Sequence, residues 1–77
     1  MNQSVLFNDD LSFDQQHDCW SMTALIAGQS INVYFHSFQL KQLTEISSCT
    51  QYDLEEAVEL WLEKNELEGK EIHLDFK

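Results

Sequence analysis

Residues 52–68, YDLEEAVELWLEKNELE, decide how this chain is read. At the angular step of an α-helix, Leu54, Ala57, Val58, Trp61 and Leu62 fall on one side. Glu55, Glu56, Glu59, Glu63 and Glu66 fall on the opposite side. One element therefore carries an apolar stripe and a nearly unbroken acidic stripe. Leu60 and Leu67 lie off the main apolar stripe, seven residues apart, and form a narrower ridge that needs a cover. The first helix or a second copy of the chain could supply it. Gly69 is expected to end the helix. Thr50 with Asp53, or Asp53 with Glu56, is expected to begin it. Residues 48–51 read as a break.

Outward from this element the pattern changes twice. Residues 37–47 read as a short helix, with Ser37 as N-cap and Phe38, Leu40, Leu43 and Ile46 near helical spacing. Before it the period drops to two. Trp20, Met22, Ala24 and Ile26 alternate with Cys19, Ser21, Thr23 and Leu25. Ile31, Val33 and Phe35 alternate with Asn32, Tyr34 and His36. Two alternating runs around Gly28 make a hairpin, because glycine takes the positive φ of a tight turn without penalty. Residues 4–7 suit a short strand. Residues 8–16 suit a polar loop anchored by Leu11 and Phe13. On the far side of the helix, Ile72, Leu74 and Phe76 alternate with His73 and Asp75, which gives a final strand.

The expected fold class is therefore α+β, a small antiparallel or mixed sheet in the order β-β-β-α-α-β. A lone hairpin is unstable in water, so two helices must pack on one face of the sheet. The last strand must return to pair with an earlier one. The expected core is Trp20, Met22, Ile26, Val33, Phe35, Leu43, Leu54, Val58, Trp61 and Leu74.

Composition bounds the function. Residues 1–77 make one small domain, which gains stability from a partner chain, a metal or a disulfide. The formal net charge is −10, with no arginine and four lysines. Phosphate backbones are bound by Lys and Arg, so a nucleic-acid partner is not expected. No apolar run is long enough to span a bilayer, so no membrane partner is expected either. The start, MNQSVLFNDD, has no basic region and no long apolar segment, so a cytoplasmic location is expected. Cys19 and Cys49 are thirty residues apart and form no CxxC pair; reduced thiols are expected.

Three pieces of the chain resemble a small bacterial family known only as a domain of unknown function. They are Val5-Leu6-Phe7, the strand–Gly–strand unit of residues 24–35 around Gly28, and the helix start Tyr52-Asp53-Leu54-Glu55-Glu56-Ala57. The resemblance runs over almost the whole chain. It implies the same fold and carries no chemistry onto any residue.

The candidate chemistry is sparse. Glu55/Glu59 and Glu59/Glu63 are like-charge pairs at i, i+4, each costing roughly 0.2–0.5 kcal/mol. Such a stripe suits either solvation or a basic partner. The candidate interaction surface is Glu55, Glu59, Leu60, Glu63, Glu66 and Leu67, with a homodimer as one use of it. His36, His73 and Asp75 would form a two-His, one-carboxylate metal set if the last strand lay beside the strand of His36. His17-Asp18-Cys19 would need an orienting group and an oxyanion site to act as a nucleophile. No Gly-rich phosphate loop is present, so no cofactor is expected. The function expected is that of a non-catalytic interaction or adaptor protein. The alternative is a small-molecule or metal-binding protein, with or without enzymatic activity, using the His-bearing sheet face.

Overall fold

The computed structural model describes residues 4–76. Five strands and two helices follow one another as β1 (Val5–Phe7), β2 (Ser12–Asp14), β3 (Cys19–Ile26), β4 (Gln29–Ser37), α1 (Phe38–Lys41), α2 (Ser48–Lys64) and β5 (Glu71–Phe76). The sheet is mixed. β1 and β2 both pair antiparallel with β3, β3 pairs antiparallel with β4, and β5 pairs parallel with β4. The expected α+β class and the return of the last strand are thus observed, with one more strand than the sequence suggested.

β3 and β4 form the hairpin read from the alternation. Ile26 faces Gln29 across a two-residue turn in which Ala27 (φ 51°) and Gly28 (φ 82°) are both left-handed. That is the backbone signature of a type I′ turn, whose twist matches the flanking strands. Ala27 bears a Cβ in this region at a cost of roughly 1–2 kcal/mol, whereas Gly28 bears none.

The extra strand is β2, in the segment expected to be a loop. β1 lies opposite residues 24–26 of β3, and β2 lies opposite residues 19–21. The two behave as one strand interrupted beside Thr23. The interruption is closed by one backbone bond and by the side chain of Asp10. Asn8 N–H donates to the Thr23 carbonyl at 3.2 Å. The Asp10 carboxylate accepts from the Thr23 N–H at 2.8 Å and from its hydroxyl. A carboxylate here does what a strand carbonyl would do, so the ladder of β3 is satisfied along its length.

Both helices cover one face of the sheet. The core joins Trp20, Met22, Ala24, Ile26, Ile31, Val33, Phe35, Ile72 and Leu74 to Leu40, Leu54 and Val58. Two members of the expected core differ. Leu43 is 44% exposed, and Trp61 is half-buried at the margin. Leu43 misses the core because α1 is one turn long, ending well short of residue 47. Among the described residues of α1 only Leu40 is buried, and Phe38 is exposed, so no apolar face exists to propagate the helix. Ser37 is its N-cap, with Oγ accepting from Leu40 N–H at 3.2 Å. α1 is instead anchored to the sheet by Trp20, whose Nε1–H donates to the buried Leu40 carbonyl at 2.8 Å.

α2 begins four residues before the expected start. Its N-cap is Ser47, whose Oγ accepts from Thr50 N–H at 3.2 Å. The run 48–51 is therefore the first turn of the helix and not a break. The end differs too. α2 stops at Lys64, and Asn65 turns extended while its side-chain amide donates to the Trp61 carbonyl at 2.9 Å. Gly69 is left-handed, at φ 87°, but it lies in the approach to β5 and caps nothing. In consequence Leu67 is not on the helix. It packs half-buried against the core, while Leu60 remains 48% exposed on α2. The expected Leu60–Leu67 ridge does not form.

Candidate functional site

With both helices on one face, the other face of the sheet is open. It carries the residues that alternate with the core. β4 presents Asn32, Tyr34 and His36 there, and β5 presents Glu71, His73 and Asp75. The parallel register sets Tyr34 beside His73 and His36 beside Asp75.

The aromatic side chains of this face form a continuous row. The His17 and Tyr34 rings lie 4.3 Å apart, and the Tyr34 and His73 rings 4.9 Å apart at 21°. Tyr34 is thus sandwiched between two imidazoles. That explains why it is only 6% exposed although no helix covers it. Its hydroxyl is pushed above the ordinary tyrosine range by burial first, and then by the charges of Glu71 and Asp14. His36 continues the row, with Nε2 at 2.8 Å from His73 Nδ1. His73 Nε2 in turn lies 3.2 Å from a Glu71 carboxylate oxygen.

His17 reaches Tyr34 because the β2–β3 connection folds back. Asp14 Oδ1 accepts from the backbone N–H groups of Gln16 and His17, and Asp14 Oδ2 lies 2.8 Å from His17 Nδ1. Asp18 then takes a left-handed φ of 56°, which returns the chain into β3. Desolvation alone would raise the Asp14 carboxyl. The hydrogen bonds from the His17 ring and from the two backbone N–H groups outweigh it and hold Asp14 below its ordinary value. The sequence carried one signal for this turn, an aspartate three residues before the histidine, which is the spacing of an aspartate-capped turn.

Cys19 lies at the start of β3 and is fully buried. Burial raises its thiol, and the nearby charges of Asp14 and Asp18 raise it further. A thiol so held stays protonated near neutrality and is a poor nucleophile. His17 is engaged with Asp14 and Asp18 with Lys41, so the His17-Asp18-Cys19 run does not converge. Both cysteines are free thiols, Cys49 being exposed.

Of the metal candidates, the structure brings His36 and His73 into direct contact and places Asp75 in register with His36. Among the described residues, no three His, Cys, Asp or Glu side chains are gathered as a ready metal site. Of the acidic candidates, Glu59 and Glu63 are exposed on α2, Glu55 is half-buried, and Glu66 is exposed beyond the helix end. The described charge contacts are the Asp18–Lys41 ion pair and the His–carboxylate contacts Asp14–His17 and Glu71–His73, and none involves an acid of α2. No helix among the described residues is long and apolar enough to cross a membrane.

No family model matches the chain. None of the curated proteins matches it. Among solved structures, the chain is similar to a protein of unknown function of the DUF1488 family from Shewanella loihica PV-4. The TM-score is 0.66, with 27% identity over 96% of this chain and 94% of that one. The expected likeness to a small bacterial family without assigned function is met by this neighbour, and the likeness extends to the whole α+β architecture.

Proposed function

We propose that this protein is a small, non-catalytic interaction module that docks a basic segment of a partner protein on the outer face of α2. The observation that carries the reading is the uncompensated charge of that face. Tyr52, Glu56, Glu59 and Glu63 follow one another along its outer line, and no described ion pair reaches any of these acids. The acids repel one another at i, i+4 and weaken the helix slightly. A cationic partner would convert that cost into attraction and speed the encounter. Tyr52, 69% exposed, and Leu60 flank the carboxylates with apolar contact area of the kind that anchors an interface.

The test is titration of the full chain with a Lys/Arg-rich peptide, read by calorimetry at two salt concentrations. Three exposed charge pairs at about 0.2–1 kcal/mol each are lost, and each is replaced by a repulsion of similar size. The triple variant Glu56→Lys/Glu59→Lys/Glu63→Lys is therefore expected to lose at least about tenfold in affinity. Binding by wild type should fall with added salt. Equal affinity of variant and wild type would refute the α2 face as the docking surface. Sedimentation of the same samples reads self-association. Two acidic faces repel, so a homodimer insensitive to the triple substitution would place the interface elsewhere and count against the reading.

A further inference from the structure

We infer that His36 and His73 form a binding site for a divalent transition metal of the imidazole-preferring class, zinc being the test ion, on the open sheet face. The ring planes are 9° apart and the centroids 5.1 Å apart, yet the two nitrogens are 2.8 Å apart. Nitrogens that close leave no room for face-to-face stacking at this centroid separation. The rings lie edge to edge, with the two nitrogens aimed at each other. Such a pair already holds one shared proton, and the same two lone pairs are those a metal takes.

The rest of the arrangement suits ligation. An ionised carboxylate only accepts, so Glu71 assigns the Nε2 proton of His73. That leaves His73 Nδ1 bare, and His36 Nε2 supplies the proton between the rings. A carboxylate holding the far N–H of a ligating histidine is the usual outer-shell partner of such a ligand, fixing its tautomer and raising its basicity. In a tetrahedral site with Zn–N near 2.0–2.1 Å, the two nitrogens stand roughly 3.3 Å apart. The pair therefore opens by about half an ångström, by rotation of the exposed His73 ring against the half-buried His36 ring. His36 moves its proton from Nε2 to Nδ1 in the exchange, so no net proton is released from the neutral pair. Asp75, in register with His36 on the same face, is the protein group placed to join the set, and water completes it. The high negative charge of the chain favours a cation.

Zinc(II) titration of the full chain, followed by imidazole nitrogen NMR, tests the site. The His36 and His73 signals are expected to shift together and saturate at one zinc per chain, with the His36 proton reporting from Nδ1. His36→Gln and His73→Gln should each weaken binding by at least tenfold, and Glu71→Gln by roughly tenfold. Cys49→Ser should leave the affinity unchanged. His36 and His73 lie outside the core, so the variants keep the fold, which circular dichroism confirms; the wild-type spectra decide the matter without them. Zinc uptake that survives His36→Gln at full affinity overturns the proposal. So does uptake that first perturbs His17 or is lost in Cys49→Ser, or a His36–His73 pair unmoved at millimolar zinc.

Discussion

Phe35→Ala is expected to destabilise the protein by about 3–5 kcal/mol, the largest effect of any single truncation in the sheet. Phe35 is fully buried on β4, the strand flanked on both sides by long partners. Its register neighbours are Trp20 on β3 and Leu74 on β5, both core residues. Removing the ring opens a void bounded on both sides by sheet, where the backbone is least free to collapse. A domain of this length has a total stability of roughly 4–12 kcal/mol at 0.05–0.15 kcal/mol per residue. The variant would then be marginal or unfolded. At a urea slope of about 1–1.5 kcal/mol/M the midpoint should fall by roughly 2–5 M. A fall below about 0.5 M would show that Phe35 is not central to the core.

The second large effect belongs to Trp20→Phe, at about 2–3 kcal/mol. The change keeps an aromatic ring against Phe13, which meets Trp20 edge-on at 5.8 Å. It deletes the Nε1–H that donates to the Leu40 carbonyl, and that carbonyl is buried. The Leu40 carbonyl keeps its bond from the Leu43 N–H at 3.1 Å, so the lost bond itself costs about 0.5–1.5 kcal/mol, and the smaller ring leaves a cavity that adds the rest. Trp61→Phe is the control. Trp61 is half-buried and its ring makes no comparable described hydrogen bond, so its loss should stay near 1 kcal/mol. Equal losses in the two variants would remove the Trp20–Leu40 bond from the account of how α1 is held.

How much of this was legible in the sequence depends on the range of the forces involved. The β3–β4 hairpin was readable because alternation and one glycine are both local. The acidic face of α2 was readable because helical angle is arithmetic. The ends of α2 were not. Ser47 caps through its own hydroxyl, and a Ser-Ser-Cys-Thr run has low intrinsic helix propensity, so tertiary packing of Leu54 and Val58 carried the helix back over it. Leu67 was misplaced for a related reason: Asn65 ends the helix with its side chain, a signal weaker in sequence than Gly69. β2 has three residues and no apolar periodicity, and it is a strand because β3 offers it a partner edge. On the open face, His36 and His73 could be suspected as neighbours from the return of β5 alone. The place of Tyr34 between His17 and His73 could not, because it depends on the register of β5 and on the Asp14 turn.

The parallel pairing of β5 with β4 has a kinetic consequence. The β3–β4 hairpin closes over a two-residue turn, whereas β5 reaches β4 only after residues 38–70 have been looped. Loop entropy must be lost before any β4–β5 contact repays it, so β5 is expected to dock after the rate-limiting barrier. Chevron kinetics of Ile72→Ala should then show faster unfolding and a nearly unchanged folding rate, with φ near zero. Val33→Ala, in the hairpin, should slow folding. A high φ at Ile72 would reverse the order. If the order holds, the strand that carries Glu71, His73 and Asp75 governs how long the native state lasts and not how quickly it forms. Anything that ties His73 to His36 would then act chiefly as a brake on unfolding.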